Sequence, residues 1–305
     1  MSKILSVVPN ICEGRDVKFI DFLVHKLQAV KGLILLDVSR DTSRNRTVIS
    51  FTGKPDVIFQ GGFVLYEETM KHVDMRRHEG SYPRIGAVDV FPFVPLKDVP
   101  IEEVVELSID FAKQVAERFK VPVYLFAESA QVPSRRDIEN IREGEYEGLE
   151  QKLKIPRWRP DFGPIEFKPD FGATIIGARY PLISFKVLLN TSDKGIAQVI
   201  NQAVEDIVHV HSYCGVEPER KLMQLTVSIS NYRKKPMYKV IEAIRMETRR
   251  YGVSIANVEM IGLIPEVAFI ESALYYMNIH QFPINRLLER AVQQHLSERL
   301  QLEDE

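Results

Sequence analysis

The sequence has very little cysteine, with only Cys12 and Cys214 in a chain of 305 residues. Two cysteines are too few for a disulfide framework and too few for a zinc site built from thiolates. Free thiols are typical of proteins in a reducing compartment. We therefore expect a cytoplasmic protein with no bound metal.

The sequence also lacks long apolar runs and an excess of charge of one sign. No stretch approaches the ~20 apolar residues that a membrane-spanning helix needs, and the N-terminal MSKILSVVPN has too short an apolar run for a signal peptide. Forty basic residues against 42 acidic residues give a net charge of -2. This balance provides no basic field to attract nucleic acid or an anionic membrane, so we expect a soluble protein with neither among its partners.

Short β-branched runs alternate with amphipathic segments along most of the chain. Apolar periods near 2 and near 3.6 residues predict strands and helices, respectively. Strands are predicted at residues 4–8, 33–38, 47–51, 88–94, 121–126, 182–189, 222–230 and 257–261. Helices are predicted at residues 16–30, 56–71, 100–119, 194–208 and 236–251 and from 266 onward, with a polar helix and turn at 135–148.

One segment in the middle fits neither pattern. Residues 156–172 contain four prolines and two glycines, a composition that predicts a long ordered loop. The order of the predicted elements favours an α/β (α+β) protein with two ferredoxin-like subdomains, each a mostly antiparallel sheet covered by helices. We expect the subdomains to comprise residues 1–180 and 181–305.

Two arginine-rich segments are candidates for an anion site. Residues 75–86 (MRRHEGSYPRIG) and residues 40–46 (RDTSRNR) both adjoin predicted strands. Arginine forks match carboxylates, and glycine permits close approach of the backbone. The two loops together would form an electropositive mouth for a glutamate or polyglutamyl ligand. The alternative is a pair of solvated turns with surface arginines.

Two further groups of residues have a structural alternative to a role in binding. His209, His211 and Cys214 lack a further ligand at metal-binding spacing, so surface or core histidines are the better interpretation. The aromatic residues of the proline-rich loop can form a stacking wall for a flat ring or a hydrophobic cluster that anchors the loop. They are Trp158, Phe162, Phe167 and Phe171.

Several ordered segments resemble glutamate formimidoyltransferase, including the transferase half of the bifunctional transferase–cyclodeaminase. They are VPNICEGRD at residues 8–16, LLDVSRDTSRNRTV at 35–48, MRRHEGSYPRIGAVDVFPFVP at 75–95, VPVYLF at 121–126, REGEYEGLEQKL at 142–153, WRPDFGP and FGATIIGAR within 158–179, and ETRRYGVSIANVEMIGLIP at 247–265. The resemblance covers most of the chain. It implies two ferredoxin-like subdomains, often in a dimer, that transfer a formimino or formyl group between an N-substituted glutamate and tetrahydrofolate in one-carbon metabolism and histidine degradation.

The resemblance also implies site residues. The folate contacts would be Gly163, Pro164, Phe167, Phe171 and Gly172. The residues suited to the glutamate carboxylates would be Arg44, Arg46, Arg77 and Arg84. Around residues 209–221 this chain is shorter and less glycine-rich than the family pattern.

The expected catalytic position carries a different residue. The family motif reads His-Pro-Arg, whereas this chain has Tyr82-Pro83-Arg84. Formimino transfer needs a group that takes and returns a proton near neutral pH, which suits imidazole at about 6.5 better than a phenol at about 10. Tyr82 or the nearby His78 is therefore the predicted catalytic group.

Three hypotheses follow. The chain is a folate-dependent transferase, or a folate-binding paralogue in which transfer is impaired, or an interaction protein that binds neither ligand. Tyr82 favours the second hypothesis over the first, and the loop at residues 163–172 supports folate binding under both.

Overall fold

The computed structural model describes residues 4–97 and 99–292, and the chain divides into two compact units, Met1–Pro181 (unit 1) and Leu182–Glu305 (unit 2). The strands are β1 (Ile4–Val7), β2 (Asn10–Ile11), β3 (Ile34–Asp41), β4 (Arg46–Gly53), β5 (Val88–Lys97), β6 (Val123–Leu125), β7 (Thr174–Ala178), β8 (Ile183–Leu189), β9 (Val210–Val216), β10 (Met223–Ile229) and β11 (Ile255–Ile261). The α-helices are α1 (Val17–Gln28), α2 (Pro55–His72), α3 (Ile101–Phe119), α4 (Ile138–Arg142), α5 (Glu145–Leu153), α6 (Lys194–Glu205), α7 (Met237–Arg250) and α8 (Glu266–Tyr276).

Unit 1 contains a seven-stranded sheet. β1 and β2 follow one another between β4 and β5, β3 pairs with β4 at one edge, and β7 and β6 continue beyond β5. The pairs β5–β7 and β7–β6 are parallel, and the other pairs are antiparallel. The break between β1 and β2 falls at Pro9, which has no N–H to donate to the ladder.

Both faces of this sheet are covered near its centre. Alternate residues of β5, β6 and β7 point to opposite sides, as in any strand. Phe91 and Ile176 pack in the core beneath α1, α2 and α3. Val90 and Ile175 pack on the other side in a smaller core with α4 and α5. The second layer matters for function because it brings α4 over the face of β5.

The loop that precedes β7 is held by a buried arginine. Nη1 of Arg135 donates to Oδ2 of Asp161 at 2.7 Å, and its Nη2 donates to the carbonyls of Arg157 and Arg159 at 3.0 and 2.7 Å. Isolated bridges join Val123 to Phe162 and Gly86 to Gly172, so both ends of the segment at 163–172 are fixed to the sheet.

Unit 2 has the order strand, helix, strand, strand, helix, strand. Its four strands form an antiparallel sheet in the order β11–β8–β10–β9. In β10 buried and half-buried residues alternate, and the buried side packs with α6 and α7. This is the ferredoxin-like arrangement.

The predicted fold class is confirmed: the chain is a mixed α/β protein with two sheets. Three strands were not predicted: Asn10–Ile11 has only two residues, Thr174–Ala178 follows directly on the loop, and Val210–Val216 has no continuous apolar run. Among the described residues, no helix has the length and apolar character needed to span a membrane.

Candidate functional site

A buried carboxylate on β5 is the centre of the site. Asp89 is 0% exposed within a strand of apolar residues. Its Oδ1 accepts a hydrogen bond from the backbone N–H of Ile85 at 3.0 Å, and its Oδ2 accepts one from Nη2 of Arg142 at 2.5 Å. Nη1 of Arg46 lies 3.5 Å from the same Oδ2. A buried charge is stable only when it is paired, so Asp89 fixes the two guanidinium groups.

Arg46 is held from two sides at the beginning of β4. Its Nε and Nη2 donate to Oδ1 of Asn10 at 2.9 and 2.7 Å. Burial lowers the pKa of Arg46, the like charge of Arg142 lowers it further, and Asp89 opposes both effects. Arginine stays protonated in proteins, so two buried positive charges share the single negative charge of Asp89.

Each of the two guanidinium groups has a buried N–H group that makes no hydrogen bond to the residues that the structure describes. Nη1 of Arg46 and Nε of Arg142 are buried, and neither has a hydrogen-bond partner in the described part of the chain. Buried N–H groups without partners are rare in folded proteins because each costs roughly 1–3 kcal/mol. The pair has one net positive charge and two donors that make no hydrogen bond among the described residues, although Nη1 of Arg46 keeps its 3.5 Å ion-pair contact with Asp89. It is therefore suited to an anionic group such as a carboxylate.

The ring of Tyr82 lies among three arginines. Its centroid is 4.3 Å from Cζ of Arg46, 5.3 Å from Cζ of Arg142 and 5.6 Å from Cζ of Arg44. Guanidinium groups favour the negative face of an aromatic ring. The side chain proposed to carry the proton is therefore next to the groups suited to bind the anion. We name Tyr82, Arg46, Arg142 and Asp89 the Tyr82 site.

Arg84 adjoins this cluster but is neutralised by acidic partners. Its Nη1 donates to Glu145 at 3.0 Å and to Glu147 at 2.8 Å, and its Nη2 donates to Glu147 at 2.6 Å. The hydrogen bonds from Arg84 lower the pKa of Glu147 against the effect of burial. Arg84 thus attaches the beginning of α5 to the segment that carries Tyr82.

Both ring nitrogens of His78 are engaged. Its Nε2 lies 3.0 Å from the carbonyl oxygen of Asn45, which can only accept, so Nε2 carries the hydrogen. Nδ1 then accepts from Nε of Arg84 at 3.4 Å. Burial lowers the pKa of His78, the bond to Asn45 raises it, and the charge of Arg84 lowers it. The arrangement favours a neutral imidazole that joins two loops.

The backbone around Tyr82 is packed too closely for larger residues. Asn45 has a φ of 49°, and its side chain accepts from the N–H of Gly14 at 2.9 Å and donates to the carbonyl of Glu79 at 3.1 Å. A Cβ on Gly80 would lie 2.4 Å from the carbonyl oxygen of Arg44. Glycine and asparagine in these segments therefore bring the loops before β4 and before β5 together.

The thiol near the site is not a nucleophile. Cys12 is buried, and burial together with the negative charge of Asp89 raises its pKa to about 12. A thiol is reactive as its thiolate, which this environment suppresses.

The four predicted arginines lie in three different surroundings. Arg44 and Arg46 both face the ring of Tyr82, and Arg84 contacts His78, which binds the carbonyl of Asn45 next to Arg46. Arg77 is exposed in a turn where its N–H donates to the carbonyl of Asp74 at 3.0 Å. The structure thus brings three of the four arginines to one region.

The predicted folate contacts are also separated. Gly163 and Pro164 line an open cavity of about 420 Å³ beside Lys113 and Lys120 of the α3 region. Phe167 instead packs against Tyr146, with ring centroids 5.5 Å apart.

The other two loop residues have structural positions. Phe171 is 1% exposed, and its ring centroid is 6.2 Å from that of Tyr66 in the unit 1 core. Gly172 has a φ of 82°, and a Cβ there would lie 2.2 Å from the carbonyl oxygen of Ile85. Neither residue has a face open to a ligand.

Sequence reasoning did not identify Arg142, Asp89 or Asn10 as site residues. The available signal was Asp89 itself, because an acidic residue inside the apolar run VDVFPFV requires a cation partner. Among the residues at 4–97 and 99–292, no group of three or more His, Cys, Asp or Glu side chains is placed to hold a metal ion.

Comparison with known families gives two matches that together cover most of the chain. The model for the formiminotransferase domain, N-terminal subdomain, matches residues 4–179, and the model for the formiminotransferase domain matches residues 191–303. The chain belongs to the formiminotransferase family. The two matched regions fall in unit 1 and unit 2, respectively.

Individual relatives are similar over nearly the whole chain. The glutamate formimidoyltransferase of Streptococcus pyogenes serotype M1 is 37% identical over 290 residues, which cover 94% of this chain and 97% of that protein. The glutamate formimidoyltransferase of Thermoplasma acidophilum is 38% identical over 296 residues, covering 95% and 97%. The formimidoyltransferase-cyclodeaminase of Rattus norvegicus is 35% identical over 285 residues, covering 90% of this chain and 53% of that protein. The chain thus spans about half the length of this bifunctional relative.

Proposed function

We propose that this protein transfers a formimino group between N-formimidoyl-glutamate and tetrahydrofolate. The observation that carries the proposal is the pair of buried guanidinium donors of Arg46 and Arg142 beside Tyr82, which make no hydrogen bond within the described residues, in a chain of the formiminotransferase family. A glutamate carboxylate supplies both the negative charge and the acceptor oxygens that this pair lacks.

Each residue of the site has a distinct part in this proposal. Arg46 and Arg142 bind the carboxylate, which places the amidine carbon near the phenol of Tyr82. During transfer N5 of tetrahydrofolate attacks that carbon and loses a proton, and the glutamate nitrogen leaves after gaining one. Tyr82, whose ring lies against both guanidinium groups, is the candidate for this proton exchange, whereas His78 holds the loops together through its two hydrogen bonds.

Folate is proposed to contact the loop at Gly163 and Pro164. These two residues are accessible from the cavity beside α3, where Lys113 and Lys120 against Glu117 leave one net positive charge to attract an anionic folate. Phe167, Phe171 and Gly172 are left out of the proposed contacts because their side chains or backbones are used in packing.

The second candidate function is folate binding with impaired transfer. The observation that favours it is Tyr82 itself, a phenol at the position where the family resemblance implies an imidazole. Acid–base catalysis contributes roughly 10²–10⁴-fold to such reactions, so its loss would leave a slow enzyme.

One set of assays separates the two functions. Formimino transfer from N-formimidoyl-glutamate to tetrahydrofolate is measured for the wild type, Tyr82→Phe and Tyr82→His. We expect slow wild-type turnover that rises at least about tenfold in Tyr82→His and falls in Tyr82→Phe. Rapid wild-type turnover unaffected by Tyr82→Phe would assign the proton to another group. If calorimetry detects no binding of either substrate, both functions are excluded.

The wider context is part of the same proposal. We propose that residues 1–180 and 181–305 act as the two formimidoyltransferase subdomains of a cytoplasmic homodimer, in histidine degradation. Light scattering after size-exclusion chromatography measures the oligomeric state, and a monomeric mass would exclude the dimer.

A further inference from the structure

Lys152 of α5 is buried, which is unusual for a lysine. It is only 7% exposed. Its Nζ donates hydrogen bonds to three backbone carbonyls, those of Asn140 at 3.1 Å, Ile141 at 2.8 Å and Glu143 at 2.8 Å. The same nitrogen lies 3.9 Å from the ring centroid of Trp158. An ammonium group has three N–H donors, so the three carbonyls use all of them.

These carbonyls belong to the end of a very short helix. α4 has five residues, whereas an isolated helix needs roughly 12–15 to be marginally stable. Its last carbonyls have no partner within the helix, and a cation at that end is favourable. At the other end, the side chain of Asp137 accepts a hydrogen bond from the N–H of Glu139 at 2.9 Å. The helix is therefore held by one side chain at each end.

Arg142 lies between two of the residues whose carbonyls bind Lys152. Ile141 and Glu143 flank it, and Lys152 binds the carbonyls of both. The guanidinium of Arg142 reaches from this point to Asp89 and to the ring of Tyr82. The position of Arg142 in the site thus depends on a backbone segment that Lys152 holds.

We propose that Lys152 is a positioning residue, which fixes the backbone on both sides of Arg142 and so sets where the Arg142 guanidinium lies in the Tyr82 site. The effect on ligand binding rests on the proposed function, whereas the hold on α4 does not.

The charge of Lys152 sets how many of the three carbonyls it can bind. Burial lowers the pKa of Lys152 to about 8; the charge of Glu143 opposes this, and those of Arg135 and Arg157 add to it. These three charges come from the segments that pack around Nζ, and the Trp158 ring covers it. A neutral amine has two N–H donors, so one of the three carbonyls loses its partner when Lys152 deprotonates.

This titration does not weaken the fold as a whole. The pKa of Lys152 is lower in the folded chain than the ordinary value near 10.4 in an unfolded one. The unfolded chain therefore binds more protons between these values, and the contribution of Lys152 to the free energy of unfolding rises as the pH rises through this window. The same linkage holds for a local opening of α4 that exposes Lys152, so the hold on α4 is tested by substitution and not by raising the pH.

The first experiment uses the single tryptophan of the chain as a reporter. Trp158 fluorescence is followed from about pH 6.5 to about pH 9, below the ordinary range of tyrosine ionisation. We expect an intensity change with a midpoint near pH 8 in the wild type and none in Lys152→Met. An identical change in Lys152→Met would overturn the assignment of the charge beside Trp158.

The second experiment measures the hold on α4. Backbone hydrogen exchange of residues 138–143 is compared at about pH 7 between Lys152→Met and Lys154→Met, a control that removes an exposed lysine paired with Glu150. We expect exchange about tenfold faster in Lys152→Met and unchanged in the control, because the clamped carbonyls lose their partners. Equal exchange in the two variants would overturn the proposal. If Lys152→Met fails to fold, Lys152→Gln, whose amide has only two N–H donors for the three carbonyls, replaces it in the same comparison with Lys154→Met.

The consequence for the site is measured with N-formimidoyl-glutamate. We expect its affinity to fall about tenfold in Lys152→Met, to stay unchanged in Lys154→Met, and to be partly restored in Lys152→Arg, which keeps a charged donor at this position. Unchanged affinity alongside faster exchange would overturn the positioning role. Absence of binding to every variant, including the wild type, would refute the proposed function, and the exchange data would still decide whether Lys152 holds α4.

Discussion

Replacement of Asp89 by asparagine is the most direct test of the Tyr82 site. The carboxylate is fully buried, accepts a backbone hydrogen bond from Ile85, and is the anion shared by the buried Arg142 and Arg46. An asparagine of nearly the same size keeps one acceptor oxygen but leaves two buried positive charges without a counterion. Breaking a buried pair in this way costs about 3–5 kcal/mol.

Denaturant unfolding followed by Trp158 fluorescence measures this cost within unit 1. We expect Asp89→Asn to lower the free energy of unfolding by about 3–5 kcal/mol, and the double variant Asp89→Asn, Arg142→Met to recover part of it, because one uncompensated charge is removed. Glu150→Gln, which breaks the exposed pair with Lys154, should cost about 1 kcal/mol or less. A loss below about 1 kcal/mol in Asp89→Asn, or additive losses in the double variant, would refute the shared-counterion account.

Two further predictions concern the backbone and the pH. Gly86→Ala should destabilise unit 1 by at least about 2 kcal/mol in denaturant unfolding, because its Cβ would lie 2.0 Å from the carbonyl oxygen of Ala173. Gly148→Ala in α5 should stabilise unit 1 by about 0.5–1 kcal/mol, because its Cβ would meet nothing within 4 Å beyond its chain neighbours and the helix's own backbone, and equal effects of the two substitutions would contradict the close approach at Gly86. His78 has a lowered pKa, so stability from this group is complete above the ordinary value near 6.5 and is lost as the pH falls below it. The free energy of unfolding, measured from about pH 7 to about pH 5, should therefore fall more steeply in the wild type than in His78→Gln. The glutamine amide can still donate to the carbonyl of Asn45 but does not titrate, so parallel curves would contradict a neutral His78.

Much of the fold was predictable because local pattern and tertiary structure agree. The helices α1, α2, α3 and α7 carry apolar residues at helical spacing and begin at aspartate or proline signals. β9 was missed because its half-exposed residues do not form an apolar run. Burial of an edge strand is decided by its neighbours in the sheet rather than by its own sequence.

The site was predictable only in part. Arg44, Arg46, Arg84 and Tyr82 lie in loops whose arginines and glycines are visible in the sequence. Arg142 could not be placed, because it comes from a five-residue helix and reaches Asp89 across 53 positions of sequence. Phe171 was misleading in a different way, since an aromatic residue in a loop has the same sequence signature whether it faces a ligand or the core.

The glycine pair at the end of the proline-rich loop has a mechanical consequence. The N–H of Ala87 donates to the carbonyl of Phe171 at 2.8 Å, and the N–H of Ala173 donates to the carbonyl of Ile85 at 2.9 Å, with Gly86 and Gly172 between them. The two backbones are therefore locked together at the strand that carries Asp89.

The other end of the loop is anchored as firmly, since the N–H of Val123 donates to the carbonyl of Phe162 at 2.9 Å. The loop is thus fixed at both ends and also at Asp170, whose carbonyl accepts a hydrogen bond from the N–H of Met75 at 2.9 Å. Any adjustment to a ligand is therefore confined to residues 163–167. We expect insertions in that segment to change only the loop. An insertion next to Gly172 would instead shift the backbone that is bonded to Ile85, whose N–H donates to the buried carboxylate of Asp89.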